Sequence, residues 1–314
     1  TVTGVQTCAL PICVGQVGAQ EKQDAAKKNA RILMVTQSKG FKHGSVSRPE
    51  SKLSPSEQAV TEIGVASNLF RVDCTQDCEK DFTKENLKNY DIVFFYTTGD
   101  LPLSETQKAD LLSYVRSGKG FSGSHCATDT FYKWADYGNL IGAYFDGHPW
   151  HTKVKVLVED QSNPATKDLG ASFEITDELY QFRTPYDRSN LRVLMRIDPS
   201  WAKERRLEEL AQIEKAKADL PAKIKQLTDS GKKEEAEKIK KQVEGRKPGV
   251  HRQDDDHALA WVRDYGKGRV FYTALGHREE VWANPLFLKH VRGGLRYALG
   301  LDKADASPRP APAK

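Results

Sequence analysis

The chain of 314 residues is 38% apolar, 29% charged and 9% aromatic, with 23 Gly and 14 Pro, a profile that excludes a disordered or collagen-like chain. No run of about 18 apolar residues is present to cross a bilayer as a helix. Of the net charge of +5, most lies in residues 203 to 247, which hold 14 Lys and Arg against 10 Asp and Glu; the nearly neutral remainder lacks the clustered charge that nucleic-acid binding needs.

The first segment, Val2 to Ile12 (VTGVQTCALPI), back-translates into a common sequencing-library adaptor and is set aside from the fold, Cys8 included. Cys13 to Ala19 reads as the end of a secretory signal peptide, with small residues Val17 and Ala19 at the −3 and −1 places before Gln20. Residues 1–19 are therefore expected to be adaptor artefact and signal remnant, 20–30 a linker, and the destination periplasmic or secreted.

A strand is predicted over Arg31 to Thr36, then a loop rich in Gly, Ser and His from Gln37 to Ser47, and a helix in Ser54 to Ser67. The alternation continues with a strand at Leu69 to Val72, a helical stretch at Thr83 to Leu87, a strand at Asp91 to Thr97, a helix at Ser104 to Ser117 and a strand at Gly120 to Ser124. Such alternation implies βαβ units and a parallel sheet covered on both faces. Further strands are expected at Lys153 to Val158 and Leu191 to Ile197. A hairpin comes next, from Ala258 to Val262 and Arg269 to Ala274 around Asp264-Tyr265-Gly266-Lys267-Gly268, leaving the sheet mixed at that edge. The last helix lies near Asn284 to Leu299.

Residues 202–247 interrupt this domain of 31–301. Their thin apolar stripe and the turn at Asp229-Ser230-Gly231 predict an inserted helical hairpin, either self-packed or an arm for a homo-oligomer. The Pro- and Ala-rich tail, 302–314, is expected to be disordered. Cys74 and Cys78 are spaced closely enough for a disulfide, with two unlinked thiols as the alternative.

In doubly wound sheets ligands bind beyond the carboxyl ends of the strands, and histidines gather there: His43 after the first strand, His125 after Gly120 to Ser124, and His277 after Arg269 to Ala274. Gly123-Ser124-His125-Cys126-Ala127 has the layout of a nucleophile elbow with His125 as the displayed residue, suited to general acid-base work or metal ligation. Cys126 reads as a small buried residue. His277 is followed by Glu279, a carboxylate able to fix its tautomer. Asp177-Glu178 is either an acidic helix start or the source of a general base, Glu178. His148 and His151 can place two imidazoles on one zinc-like divalent ion, with a third ligand from His125, His277 or Glu178. His251 and His257, beside Asp254-Asp255-Asp256, read as part of a solvated loop. Trp150 and Trp282 are candidates for stacking on sugar rings.

The motifs KGFKHGS, DIVFFYTTGDLP, GKGFSGSHCATDTFYKW, YFDGHPWH, ITDELYQF and LAWVRDYGKGRVFYTALGHREEVW together resemble the ThuA-like, or trehalose-utilisation, family over about residues 31 to 300. The resemblance implies a flavodoxin-like three-layer α/β/α sandwich related in fold to class I glutamine amidotransferases. Their cysteine position is His125 here, while His277 and Glu279 fall where their His and Glu are expected, so glutamine hydrolysis is not implied. A small carbohydrate is the implied substrate: (3-keto) disaccharides or glycosides such as trehalose derivatives. The expected acid-base residues are His125, His277, Glu279 and Glu178, with His43, Thr128, Asp129, Trp150, Tyr180 and Trp282 contacting substrate. The alternatives are a non-catalytic sugar-binding module and a metal-dependent hydrolase, since one fold hosts many chemistries.

Overall fold

The structure, a computed structural model, describes residues 30–50 and 52–311. The adaptor, signal-peptide and most of the linker expectations lie outside the described residues. Among the described residues no helix is long and apolar enough to cross a membrane.

The strands are β1 (Ala30–Val35), β2 (Phe70–Thr75), β3 (Ile92–Phe95), β4 (Gly120–Ser124), β5 (Tyr144–Phe145), β6 (Trp150–Val158), β7 (Ser172–Leu179), β8 (Phe182–Arg183), β9 (Arg192–Ile197), β10 (Ala258–Tyr265) and β11 (Gly268–Thr273). The helices are α1 (Pro55–Ser67), α2 (Cys78–Asp81), α3 (Lys84–Leu87), α4 (Glu105–Arg116), α5 (Ala135–Ile141), α6 (Pro199–Asp229), α7 (Lys233–Glu244) and α8 (Pro285–Ala298). Nine strands form one sheet in the order β2-β1-β3-β4-β11-β10-β9-β6-β7, and β5 pairs with β8 apart from it. From β2 to β11 every pairing is parallel; from β11 outward to β7 every pairing is antiparallel. The expected α/β sandwich is present, and its antiparallel part is wider than a single mixed edge.

The inner parallel strands β1 and β3 are apolar on both faces because helices cover both. Alternate residues of a strand face opposite sides. A Cβ added at Gly120 would sit 2.7 Å from the Ala298 carbonyl oxygen in α8, and one at Gly123 would sit 3.1 Å from Ile141 in α5. Those two helices therefore flank β4 from opposite sides, and glycine lets each approach the strand. The helix starts are set by their caps: Ser54 with Glu57 and Ser104 with Gln107 form reciprocal capping boxes.

The predicted hairpin is present as α6 and α7, which pack on each other with Ile213 and Ala236 buried. Its root is tied to the body by Arg206 on Asp255 at 2.8 Å, by the Gly249 amide donating to Glu209 at 2.8 Å, and by Trp201 against Trp150. The tail is not loose as far as Arg309. Its amide donates to the Leu191 carbonyl at 3.2 Å, its guanidinium to the Glu159 carbonyl at 2.7 Å, and Asp305 pairs with Arg192 at 2.6 Å. Cys74 and Cys78 are free thiols, both pushed up to about 12 by burial.

Candidate metal centre

The turn out of β4 places His125 at φ +46°, a left-handed conformation that a Cβ-bearing residue adopts only when its surroundings enforce it. Enforcement comes from Tyr272, whose hydroxyl donates to the His125 carbonyl at 2.6 Å, and from Thr128 beneath it, 3.1 Å from that hydroxyl. The elbow layout is thus real, with an imidazole on display. Its Nδ1 donates to the Ala274 carbonyl at 2.8 Å. A carbonyl only accepts, so Nδ1 carries a proton and Nε2 is the ring atom turned toward the site.

That Nε2 lies 3.2 Å from His277 Nδ1 and 3.4 Å from Glu178 Oε2, and the last two atoms are 3.1 Å apart. His43, on the loop after β1, stands nearly perpendicular to both imidazoles at 4.9 and 5.0 Å between ring centres. Ligand atoms of His43, His125, Glu178 and His277 all fall within 4.8 Å of one another, making a group that could hold a metal ion. Two features of the donors fit one. Tetrahedral zinc with bonds of about 2.0–2.1 Å separates its ligand atoms by about 3.3 Å, as in this triangle. His43 Nδ1 is buried with no hydrogen-bond partner, an orphan that a buried polar atom rarely remains.

The electrostatics divide the imidazoles around an ionised carboxylate. Burial, reinforced by the neighbouring His125 and His277, holds His43 down to about 3. Burial also opposes the charged form of Glu178, but hydrogen bonds from His125 and His277 outweigh it and keep the carboxyl ionised well below its ordinary value. His277 is raised despite burial, because Glu178 favours its imidazolium. The other Glu178 oxygen faces outward, 3.3 Å from Nδ1 of the half-exposed His148.

The backbone of His277 is clamped from several sides. Asp177, fully buried, accepts from the Gly276 amide at 2.7 Å and the Arg278 amide at 3.2 Å. The Gly276 carbonyl accepts from Tyr96 at 2.6 Å and from Trp282 Nε1 at 2.8 Å, while Ser45 donates to the His277 carbonyl at 2.6 Å.

Several expected roles change. Asp177 and Glu178 close strand β7 and do not start a helix. The carboxylate on His277 is Glu178; Glu279 is exposed in the following 3-10 turn and lies beside Gly44. His151 is exposed on β6, its Nε2 3.4 Å from Arg278, and His148 touches only Glu178 of the converging donors, so His43 takes the place expected for that pair. Trp282 is buried on Tyr96, and the half-buried Trp150 packs against Trp201 and His257. Thr128 is buried under the elbow, and Asp129 accepts from Tyr132 at 2.5 Å. Tyr180 does reach the site, its ring 4.1 Å from that of His125. Sequence reasoning missed the Asp177 clamp, although the alternation Phe173, Ile175, Asp177, Leu179 is a period-two strand signal with the carboxylate on the buried face.

A mixed sheet flanked by helices, carrying its polar chemistry beyond the ends of its parallel strands with a histidine at a left-handed strand-to-helix turn, defines a flavodoxin-like α/β protein. The chain belongs to the ThuA, or trehalose utilisation, family, whose model matches residues 31–298. Its fold is shared with a ThuA-like protein from Bacteroides uniformis, at 21% identity and TM-score 0.59 over 89% of this chain and 95% of that one. A ThuA-like protein from Parabacteroides merdae is similar at 18% identity and TM-score 0.55, over 91% and 94% of the two chains. At such identities the likeness is one of fold. No curated protein matches the sequence. Family membership supports a carbohydrate-related function.

Proposed function

We propose that the protein is a carbohydrate-processing enzyme acting on disaccharides or glycosides, 3-keto derivatives of trehalose type included, through metal-assisted His/Glu acid-base chemistry. The observation that carries this reading is the triangle of His125 Nε2, His277 Nδ1 and Glu178 Oε2 with sides of 3.1 to 3.4 Å. His125, His277 and Glu178 would hold a zinc-like divalent ion, with His43 as the fourth donor available. When bound, such an ion supplies Lewis-acid polarisation of a substrate oxygen or a water acidified to near-neutral pH.

The chain's own groups supply the rest. In a 3-keto glycoside the C2 hydrogen is acidified by the ketone, and its removal needs a base near the site. His148 would serve as that base: it is open to solvent, and its Nδ1 lies 3.3 Å from the outer oxygen of Glu178. Tyr180 and Phe145, with rings 4.3 Å apart, wall the His125 side and exclude water from it. Glutamine hydrolysis through a thioester has no support: Cys126 is buried and its thiol is pushed well above its ordinary value by that burial.

A proton NMR time course with trehalose and 3-keto-trehalose, with and without chelator, tests the reading. New product resonances from the keto sugar that vanish on chelation are expected. Turnover unaffected by chelator removes the metal, and no turnover of either sugar removes the substrate class.

A further inference from the structure

Of the aromatic residues picked out by sequence for sugar stacking, Trp282 is buried and Trp150 is half-buried against the hairpin root, yet the site is not without an aromatic face. Phe41 is 65% exposed, and its ring meets that of His43 edge to face at 4.8 Å between centres. It is the most exposed aromatic side chain among the described residues, and it stands one ring away from the donor cluster.

Its loop is not loose. The Lys39 amide donates to the Thr98 carbonyl at 2.8 Å, the Gly40 amide to Thr98 Oγ1 at 3.2 Å, and that hydroxyl donates to the Phe41 carbonyl at 2.9 Å. Thr98 itself is fully buried. Beside it Gly99 takes φ +74°, and a Cβ there would sit 2.7 Å from the Gly40 nitrogen, so the close approach of the two loops depends on glycine. Two and four residues further, His43 and Ser45 are buried again. The backbone is therefore held on both sides of Phe41 while the phenyl ring stands in water among the exposed Lys39, Gly40 and Lys42. Burying that ring is what hydrophobicity alone favours, so a rigid display of it points to a ligand that covers it.

We infer that Phe41 is the platform on which a neutral pyranoside ring of the substrate lies, holding the sugar against the His43 edge of the cluster. This deepens, and rests on, the carbohydrate reading above. An aromatic face carries partial negative charge, and the C–H groups on one side of a pyranose ring present the complementary positive edge without any need for an ion.

Saturation-transfer NMR with trehalose and 3-keto-trehalose on the zinc-loaded full chain tests this, using wild type, Phe41→Ala, Phe41→Leu and Phe41→Trp. Zinc stoichiometry and circular dichroism are measured on each, and both are expected unchanged because the ring is mostly in solvent. The expected result is transfer to ring C–H protons in wild type, sugar affinity weakened about five- to tenfold in Phe41→Ala, an intermediate loss in Phe41→Leu, and retention in Phe41→Trp. In turnover the loss falls on KM and leaves kcat near the wild-type value. Equal transfer in wild type and Phe41→Ala overturns the platform and leaves the carbohydrate reading standing. Transfer to neither sugar in wild type overturns both.

Discussion

The parallel and antiparallel halves of the sheet feed the same cluster by different routes. In the parallel half, His125 directly succeeds β4 and His277 lies a few residues past β11, while His43 sits on the loop after β1. Parallel strands point their carboxyl ends the same way, so topology alone gathers the residues just beyond those ends. The antiparallel half has no such rule. Its donor, Glu178, comes from inside β7 at the far edge of the sheet, where it pairs across the ladder with His151, and it reaches the histidines only because the four outer strands bring that edge back over the β11 turn. The first half supplies imidazoles by construction; the second supplies the charge that makes them a centre.

If the two halves act as one centre, breaking either has the largest consequence. His125→Ala and Glu178→Ala are each expected to lower turnover of a 3-keto glycoside about a thousandfold or more, in steady-state assays on protein whose circular dichroism is unchanged. A Glu178→Ala protein as active as wild type would mean that the parallel half suffices alone.

The clamp between the halves comes next. Asparagine at 177 offers one carbonyl oxygen where the carboxylate serves two amides, so an amide of Gly276 or Arg278 loses its acceptor. Asp177→Asn is expected to cost about 1–3 kcal/mol in urea unfolding and to weaken zinc about 10- to 100-fold in chelator competition, as loss of outer support does. Unchanged affinity would show that His277 holds its place without the clamp.

Trp150→Ala sharpens the comparison from outside the centre. The indole fills space between β6 and the hairpin root, and a cost of about 2–3 kcal/mol in thermal or urea unfolding is expected, with zinc and sugar binding retained. Lost sugar binding at full stability would restore Trp150 to the site.

The pH dependence tests the packing outside the centre. His257 and His290 are both held down to about 4 by burial, so below about 6.5 the unfolded chain takes up protons that the folded chain refuses. Stability is complete above that value and falls as pH drops toward 4, by about 1.4 kcal/mol per pH unit for each histidine. Replacing both by Asn is expected to flatten the slope of unfolding free energy between about pH 6 and 4. An unaltered slope would assign the acid sensitivity elsewhere.

The same division governs what the sequence makes legible. Apolar β-branched runs and capping residues mark β1, β3, α1, α4 and α8, and position after a strand is enough to nominate His43, His125 and His277. Glu178 is visible as a carboxylate but not as a strand residue, because its neighbours alternate with only two large apolar side chains before the acidic pair. Its partnership with His277 joins two distant parts of the chain, and no local pattern announces it. Nearness in sequence instead suggests Glu279, which the 3-10 turn carries outward. Trp150 and Trp282 illustrate the converse: an aromatic ring serves a core or a ligand equally well, and only burial separates these two from Phe41.

Titration of zinc into metal-stripped wild type and into the His125→Ala and Glu178→Ala proteins, followed by calorimetry, tests the central claim most directly. One tight equivalent in wild type, lost or weakened at least about 100-fold in both folded variants, is the expected result. No binding by wild type, or affinity unchanged in both variants, would contradict a metal centre joined from the two halves of the sheet.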